Sequence, residues 1–178
     1  MFGRQLATGG DINGDGYLDM VVSNTGNVTS PVGYSSVEFF YGSENGIIST
    51  PFKVHSVLQQ GKLYGFEMNF IGDIHGDGYD DLIITELFAE TNLFQQGRVH
   101  LYTGSENGSI KDNDWVKDGP FANARFGFTV SPAGDINEDG FDDFLIMNPS
   151  GSKSGTVTLF LGSLNGPRSD TQVFAQGT

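Results

Sequence analysis

In the middle of the chain Tyr64, Phe66, Met68 and Phe70 alternate with Gly65, Glu67 and Asn69, a period of two that predicts a strand with one apolar face. After an Asp- and Gly-rich loop, Leu82, Ile83 and Ile84 form a continuous branched run, which predicts a short strand covered on both sides. Residues 98–102 predict a third strand, closed by a Gly-Ser-Glu-Asn-Gly turn at Gly104, and residues 115–117 a weaker fourth. The same order recurs on either side. Met20-Val21-Val22 precedes strands at 37–41 and 52–57, and Phe144-Leu145-Ile146-Met147 precedes strands at 156–160 and 172–174. No segment reads as a helix of respectable length. Four antiparallel strands in each unit of about 60 residues describe an all-β fold of β-propeller blades.

The recurrence has a fixed period. GDINGDGYLDMVV from Gly10, GDIHGDGYDDLII from Gly72 and GDINEDGFDDFLI from Gly134 begin 62 residues apart, as do Phe2-Gly3, Tyr64-Gly65 and Phe126-Gly127. The Gly-Ser turns at Gly42, Gly104 and Gly162 are 62 and then 58 apart. One repeat array is therefore expected, with units at 2–63, 64–125 and 126–178. Rings of blades close with about four to eight members. The three units are accordingly expected to be a segment of a longer propeller, with self-association of two or more chains as the alternative, because open flanks would place apolar side chains in water.

Composition narrows the chemistry. With 22 Asp and Glu against nine Lys and Arg, the net charge is −13 among 178 residues, the wrong sign for a nucleic-acid or anionic-membrane surface. There is no Cys, which removes disulfides and thiolate ligands, and no apolar run approaches the roughly 18 residues of a membrane span. A divalent cation is the natural partner. In the first loop Asp11, Asn13, Asp15 and Asp19 place side-chain oxygens at positions 1, 3, 5 and 9, and Tyr17 at position 7 offers a carbonyl. The third loop repeats this set with Asp135, Asn137, Asp139, Phe141 and Asp143. The second has Asp73, Asp77, Tyr79 and Asp81, but His75 stands at position 3, and a hard cation gains little from imidazole nitrogen. Up to three Ca2+ ions are expected, with the second site weakest. An EF-hand is excluded, because position 12 is Val22, Ile84 or Ile146 rather than a carboxylate. Asp, Asn and Gly also form turns without metal, and that reading stays open beside the calcium one.

Together, the aromatic-Gly pair, the Asp-Gly loop, the apolar strand and the Tyr-Gly-Ser-Glu-Asn-Gly turn resemble the FG-GAP repeats of integrin α-subunit propellers and of many cell-surface and secreted proteins. The resemblance implies calcium in the hairpin between the first two strands of a blade. It also implies partners on the opposite face, here residues 24–36, 59–63, 86–97 and 119–125, and an extracellular or cell-surface location. The function it implies is a calcium-stabilised module for protein binding and adhesion, without catalysis. A carbohydrate-binding, lectin-like or polysaccharide-enzyme segment is the alternative, for which Tyr34, Phe88, Phe94 and Phe121 could stack on sugar rings, although packing between blades explains them more simply. No nucleophile motif accompanies His55, His75 or His100, and His55 and His100 are expected to be partly exposed strand residues. Two sequons, at Asn27 and Asn107, fall in expected loops or turns.

Overall fold

The computed structural model describes residues 2–25, 35–57, 61–106, 108, 111–149, 155–168 and 172–176. Three antiparallel four-stranded sheets follow one another along the chain. The first holds β1 (Phe2–Gly10), β2 (Asp19–Asn24), β3 (Ser35–Phe40) and β4 (Lys53–Val57). The second holds β5 (Tyr64–Gly72), β6 (Asp81–Glu86), β7 (Arg98–Thr103) and β8 (Lys111–Asp118). The third holds β9 (Thr129–Gly134), β10 (Asp143–Asn148), β11 (Thr156–Phe160) and β12 (Gln172–Gln176). Every strand pairs with its sequence neighbour, and no described residue is helical. This all-β arrangement of blades is the one that the periodicity predicts. Of the singled-out residues, Tyr34 and the Asn27 and Asn107 sequon asparagines lie outside the described residues.

The sheets meet face to face, because the branched runs of β2, β6 and β10 have apolar side chains on both sides. One core packs Ala7, Ile12, Val21, Val37 and Phe39 of the first unit against Tyr64, Met68, Phe70, Leu82, Ile84 and Tyr102 of the second. The next packs Ile71, Ile74, Ile83, Val99 and Leu101 against Phe126, Val130, Phe144, Ile146 and Phe160. Each buried aromatic side chain contributes about 1.5–3 kcal/mol. The glycine after each head aromatic is needed twice over. Gly65 and Gly127 hold φ of +75° and +85°, and a Cβ there would lie 2.9 Å from Ser23 Cβ and 2.8 Å from Val99 Cγ2 of the preceding sheet.

One expectation about these strands needs correction. The alternation from Tyr64 to Phe70 does not run unbroken: pairing jumps from Tyr64 with Glu86 to Met68 with Ile84, so the strand bulges after Tyr64. Phe66 leaves the buried face as a result and stacks between the Arg4 guanidinium and the Phe128 ring, 4.1 and 5.6 Å from its centroid. In the third unit Phe126 and Gly127 sit in a turn ahead of β9, although Phe126 still enters the core.

Candidate metal centre

The three Asp-Gly loops connect β1 to β2, β5 to β6 and β9 to β10, so all lie at one end of the sheets. In the first, Asp11 accepts the backbone N–H groups of Asp15 and Gly16, at 3.1 and 2.7 Å, which curls the loop around its own carboxylate. Asn13 donates its amide to Asp15 Oδ2 at 3.0 Å and accepts the Asp15 N–H, while Asp15 Oδ1 accepts the N–H of Tyr17. The third loop repeats each contact with Asp135, Asn137, Asp139 and Phe141. There Asp139 also forms an ion pair with Arg168 at 3.0 Å. Asp11, Asn13 and Asp15, like Asp135, Asn137 and Asp139, are thus brought together. Their donors are all oxygen, the chemistry of a hard cation. In the arrangement shown, no group of three Asp, Glu or His side chains among the described residues closes on one point.

Position 9 has a structural role that the sequence pattern did not reveal. Asp19 is buried, and its two oxygens accept the N–H groups of Ile12 and Gly42, at 2.9 and 2.8 Å. Asp81 does the same with Ile74 and Gly104, and Asp143 with Ile136 and Gly162. Each carboxylate therefore ties its Asp-Gly loop to the Gly-Ser turn of the same sheet. Burial pushes the Asp19 and Asp81 carboxyls above the usual range; the backbone bonds to Asp19, and chiefly the His75 contact to Asp81, oppose that shift. A carboxylate has about four lone-pair sites, so two backbone bonds leave room for a cation.

The second loop keeps the frame and changes the contents. Asp73 accepts the N–H groups of His75, Gly76, Asp77 and Gly78, and Asp77 accepts that of Tyr79. His75 bonds to Asp81 through Nδ1 at 2.9 Å. A further pair of carboxylates joins one loop to the next: Asp80 accepts the N–H of Asp11 at 2.7 Å, and Asp142 that of Asp73 at 3.0 Å. The Asp-Asp doublets at 80–81 and 142–143, against Leu18-Asp19 in the first unit, are the signal that could have marked them. Burial, supported by the charges of Asp11, Asp142 and Asp73, raises the Asp80 carboxyl.

The remaining histidines are structural. His55 Nδ1 bonds to Tyr64 at 2.7 Å, and the Tyr64 and Tyr102 hydroxyls bond to each other at 2.5 Å. His100, expected to be partly exposed, is buried with Nε2 3.5 Å from Glu86 Oε2. It points into the seam with the first unit rather than toward water. At the end opposite the Asp-Gly loops, four of the five non-Gly residues with positive φ among the described residues gather: Leu63, Gln95, Asn123 and Arg125. There Phe88 is half-buried under the Arg125 guanidinium and Phe121 is half-buried, but Phe94 stands 59% exposed beside Leu93, so packing between blades does not account for it.

The FG-GAP repeat family profile matches residues 2–37 and 126–160. The chain is similar to integrin alpha-PS5 of Drosophila melanogaster, with 31% identity over 146 residues, covering 78% of this chain and 14% of that protein. Integrin alpha-PS3 of the same species is 29% identical over 152 residues, covering 79% of this chain and 13% of its own length. Human integrin alpha-IIb is 32% identical over 107 residues, covering 56% and 10%. The chain thus spans about a seventh or less of the length of these relatives.

Proposed function

We propose, from the premise that this is a chain of FG-GAP repeats, that it is a calcium-stabilised, non-catalytic extracellular module that binds a protein ligand on the face opposite its Asp-Gly loops. The observation that carries this reading is the identical oxygen-only frame of the first and third loops, in which Asp11 and Asp135 order the backbone around the remaining donors. Asp11, Asn13, Asp15, Asp19 and the Tyr17 carbonyl would hold one ion, and Asp135, Asn137, Asp139, Asp143 and the Phe141 carbonyl another. Calcium would supply positive charge to loops whose carboxylates repel one another. The second loop would bind most weakly, through Asp73, Asp77, Asp81 and the Tyr79 carbonyl, because His75 adds no oxygen and already engages Asp81.

The ligand face would comprise the described parts of the loops at 61–63, 86–97 and 119–125, where Leu93 and Phe94 offer an exposed apolar contact. Backbone held at positive φ in non-Gly residues clusters at binding loops, which supports the same face. Adhesion is the role such a module would serve.

An ion that binds only the folded state at a hundredfold excess over Kd stabilises by about 2.7 kcal/mol per site. Thermal unfolding with calcium and with chelator, at matched ionic strength, is expected to show a large rise in midpoint with calcium. An unchanged midpoint would defeat the calcium reading.

A further inference from the structure

The two internal seams are built on the same positions and filled with different chemistry. In the second, Phe126 and Phe160 lie 6.3 Å apart, and the Lys117 ammonium stands 5.6 Å from the Phe160 ring. The corresponding residues of the first seam are Tyr64, Tyr102 and His55, since His55 pairs with Val37 as Lys117 does with Val99, and Tyr102 with Leu82 as Phe160 does with Phe144. Their polar atoms form a triangle. The two hydroxyls are 2.5 Å apart, and His55 Nδ1 lies 2.7 Å from Tyr64 and 3.2 Å from Tyr102. Both tyrosines are buried and belong to the second unit, whereas His55 is half-buried and belongs to the first. An imidazole thus joins the first two units at a place where the next seam has two phenyl rings and a permanent cation.

We infer that this triangle is a pH-sensitive latch, in which protonation of His55 weakens the seam between the first and second units. The proton count sets the direction. With Nδ1 as acceptor, the two hydroxyl protons fill the two shortest contacts, Tyr102 donating to Tyr64 and Tyr64 to His55. An imidazolium carries a proton on Nδ1 as well. Both bonds must then reverse, the Tyr102 proton leaves the triangle, and a positive charge enters a half-buried seam. The described charged groups around His55 do not balance that charge. Lys53 lies on the same strand and face. Across the seam, Glu86 has Oε2 3.5 Å from His100 Nε2 and also acts on Arg98, and Asp118 is bound by Arg98. A proton on His100 meets a carboxylate; a proton on His55 meets two phenol hydroxyls. The opened chain therefore takes the His55 proton more readily than the closed seam, which holds best above the ordinary imidazole value of about 6.5 and weakens as pH falls through it.

The triangle lies directly behind loops of the opposite end. Tyr64 follows on the 61–63 loop, whose Lys62 carbonyl accepts the N–H of Phe88 at 3.0 Å. Acid thus loosens the face assigned above to a ligand; that consequence rests on the assignment, while the latch itself does not.

Urea unfolding of the full chain in saturating calcium, at pH 7.5 and 5.5, tests the latch without any ligand. An imidazole that stays neutral when folded and titrates near 6.5 when unfolded changes the unfolding constant about tenfold over that interval. Acidification is accordingly expected to raise the unfolding constant of the wild-type chain about tenfold more than that of His55→Asn, whose Oδ1 can accept the Tyr64 proton as Nδ1 does. His75→Asn and His100→Asn, which leave the triangle intact, are expected to keep this extra sensitivity. Equal pH dependence in wild type and His55→Asn overturns the inference, as does its loss in His100→Asn alone. Should His55→Asn fail to fold, the ring nitrogen shifts of wild-type His55 decide: a neutral ring with Nδ1 unprotonated is expected at pH 6.0, and an imidazolium there in the folded chain overturns the latch.

Discussion

The second Asp-Gly loop and its two neighbours fold alike and yet differ in the side chain at position 3, His75 against Asn13 and Asn137. In all three, the first Asp gathers the backbone N–H groups of the loop and the last Asp holds the loop to the Gly-Ser turn. Both sets run from carboxylate to backbone, and neither uses the side chain at position 3. Asn13 and Asn137 therefore reach across to the central Asp, while His75 swings to Asp81, and the backbone frame is the same in each case. The comparison teaches that shape and ion chemistry are separable here. A loop can keep its fold through carboxylate-to-backbone bonds while a single substitution changes the donor groups it presents.

The largest effect that would break this view concerns the frame. Asp143→Ala leaves the N–H groups of Ile136 and Gly162 without their carboxylate, at a cost of about 2–5 kcal/mol in denaturant unfolding. Asp81→Ala should cost a similar amount, despite the His75 contact. A loss confined to the third loop would show that the second is held together by something else. Next in size, Asp139→Ala should abolish calcium binding in the third loop and remove that site's share of stabilisation, about 2.7 kcal/mol at a hundredfold excess of calcium over Kd. It should leave the chelated protein much closer to wild type.

His75→Asp is expected to raise calcium affinity in the second loop about tenfold, which is about 1.4 kcal/mol, since it replaces an imidazole by a charged oxygen donor and releases Asp81. Single-loop titrations would measure it. The smallest effect serves as a control at the other end of the same sheet. Arg98 binds Asp118 through two bonds, at 2.6 and 3.0 Å, and holds the Asp118 carboxyl below its usual range. A depressed folded pKa stabilises above the unfolded value of 3.8 and loses that contribution as pH falls through the folded value. Asp118→Asn should therefore cost about 1 kcal/mol at neutral pH, in calcium and in chelator alike, and progressively less below about pH 4.

The array, the strand types and the three loops were legible in the sequence because each depends on local spacing: a period of two, a branched run, an Asp-Gly cluster every 62 residues. What escaped the reading depends on neighbours far along the chain. Phe66 fits the alternation of its strand, but the preceding sheet forces a bulge at Gly65 and turns the ring toward Arg4 and Phe128. His100 looks like any polar strand residue until the first unit closes over it. Asp80 and Asp142 fall outside the loop positions that the sequence singles out, yet each caps a loop whose sequence lies 69 residues earlier. Phe94 gave the opposite error, since aromatics in loops are usually buried and this ring is not.

Isothermal titration of the whole chain with calcium addresses the account most directly, because it counts sites and ranks them in one experiment. The oxygen-only frames of the first and third loops predict two tight sites, followed by one distinctly weaker site in the loop that contains His75. Three sites of equal affinity would contradict the role given to position 3, and no calcium heat at all would contradict the metal reading of the loops.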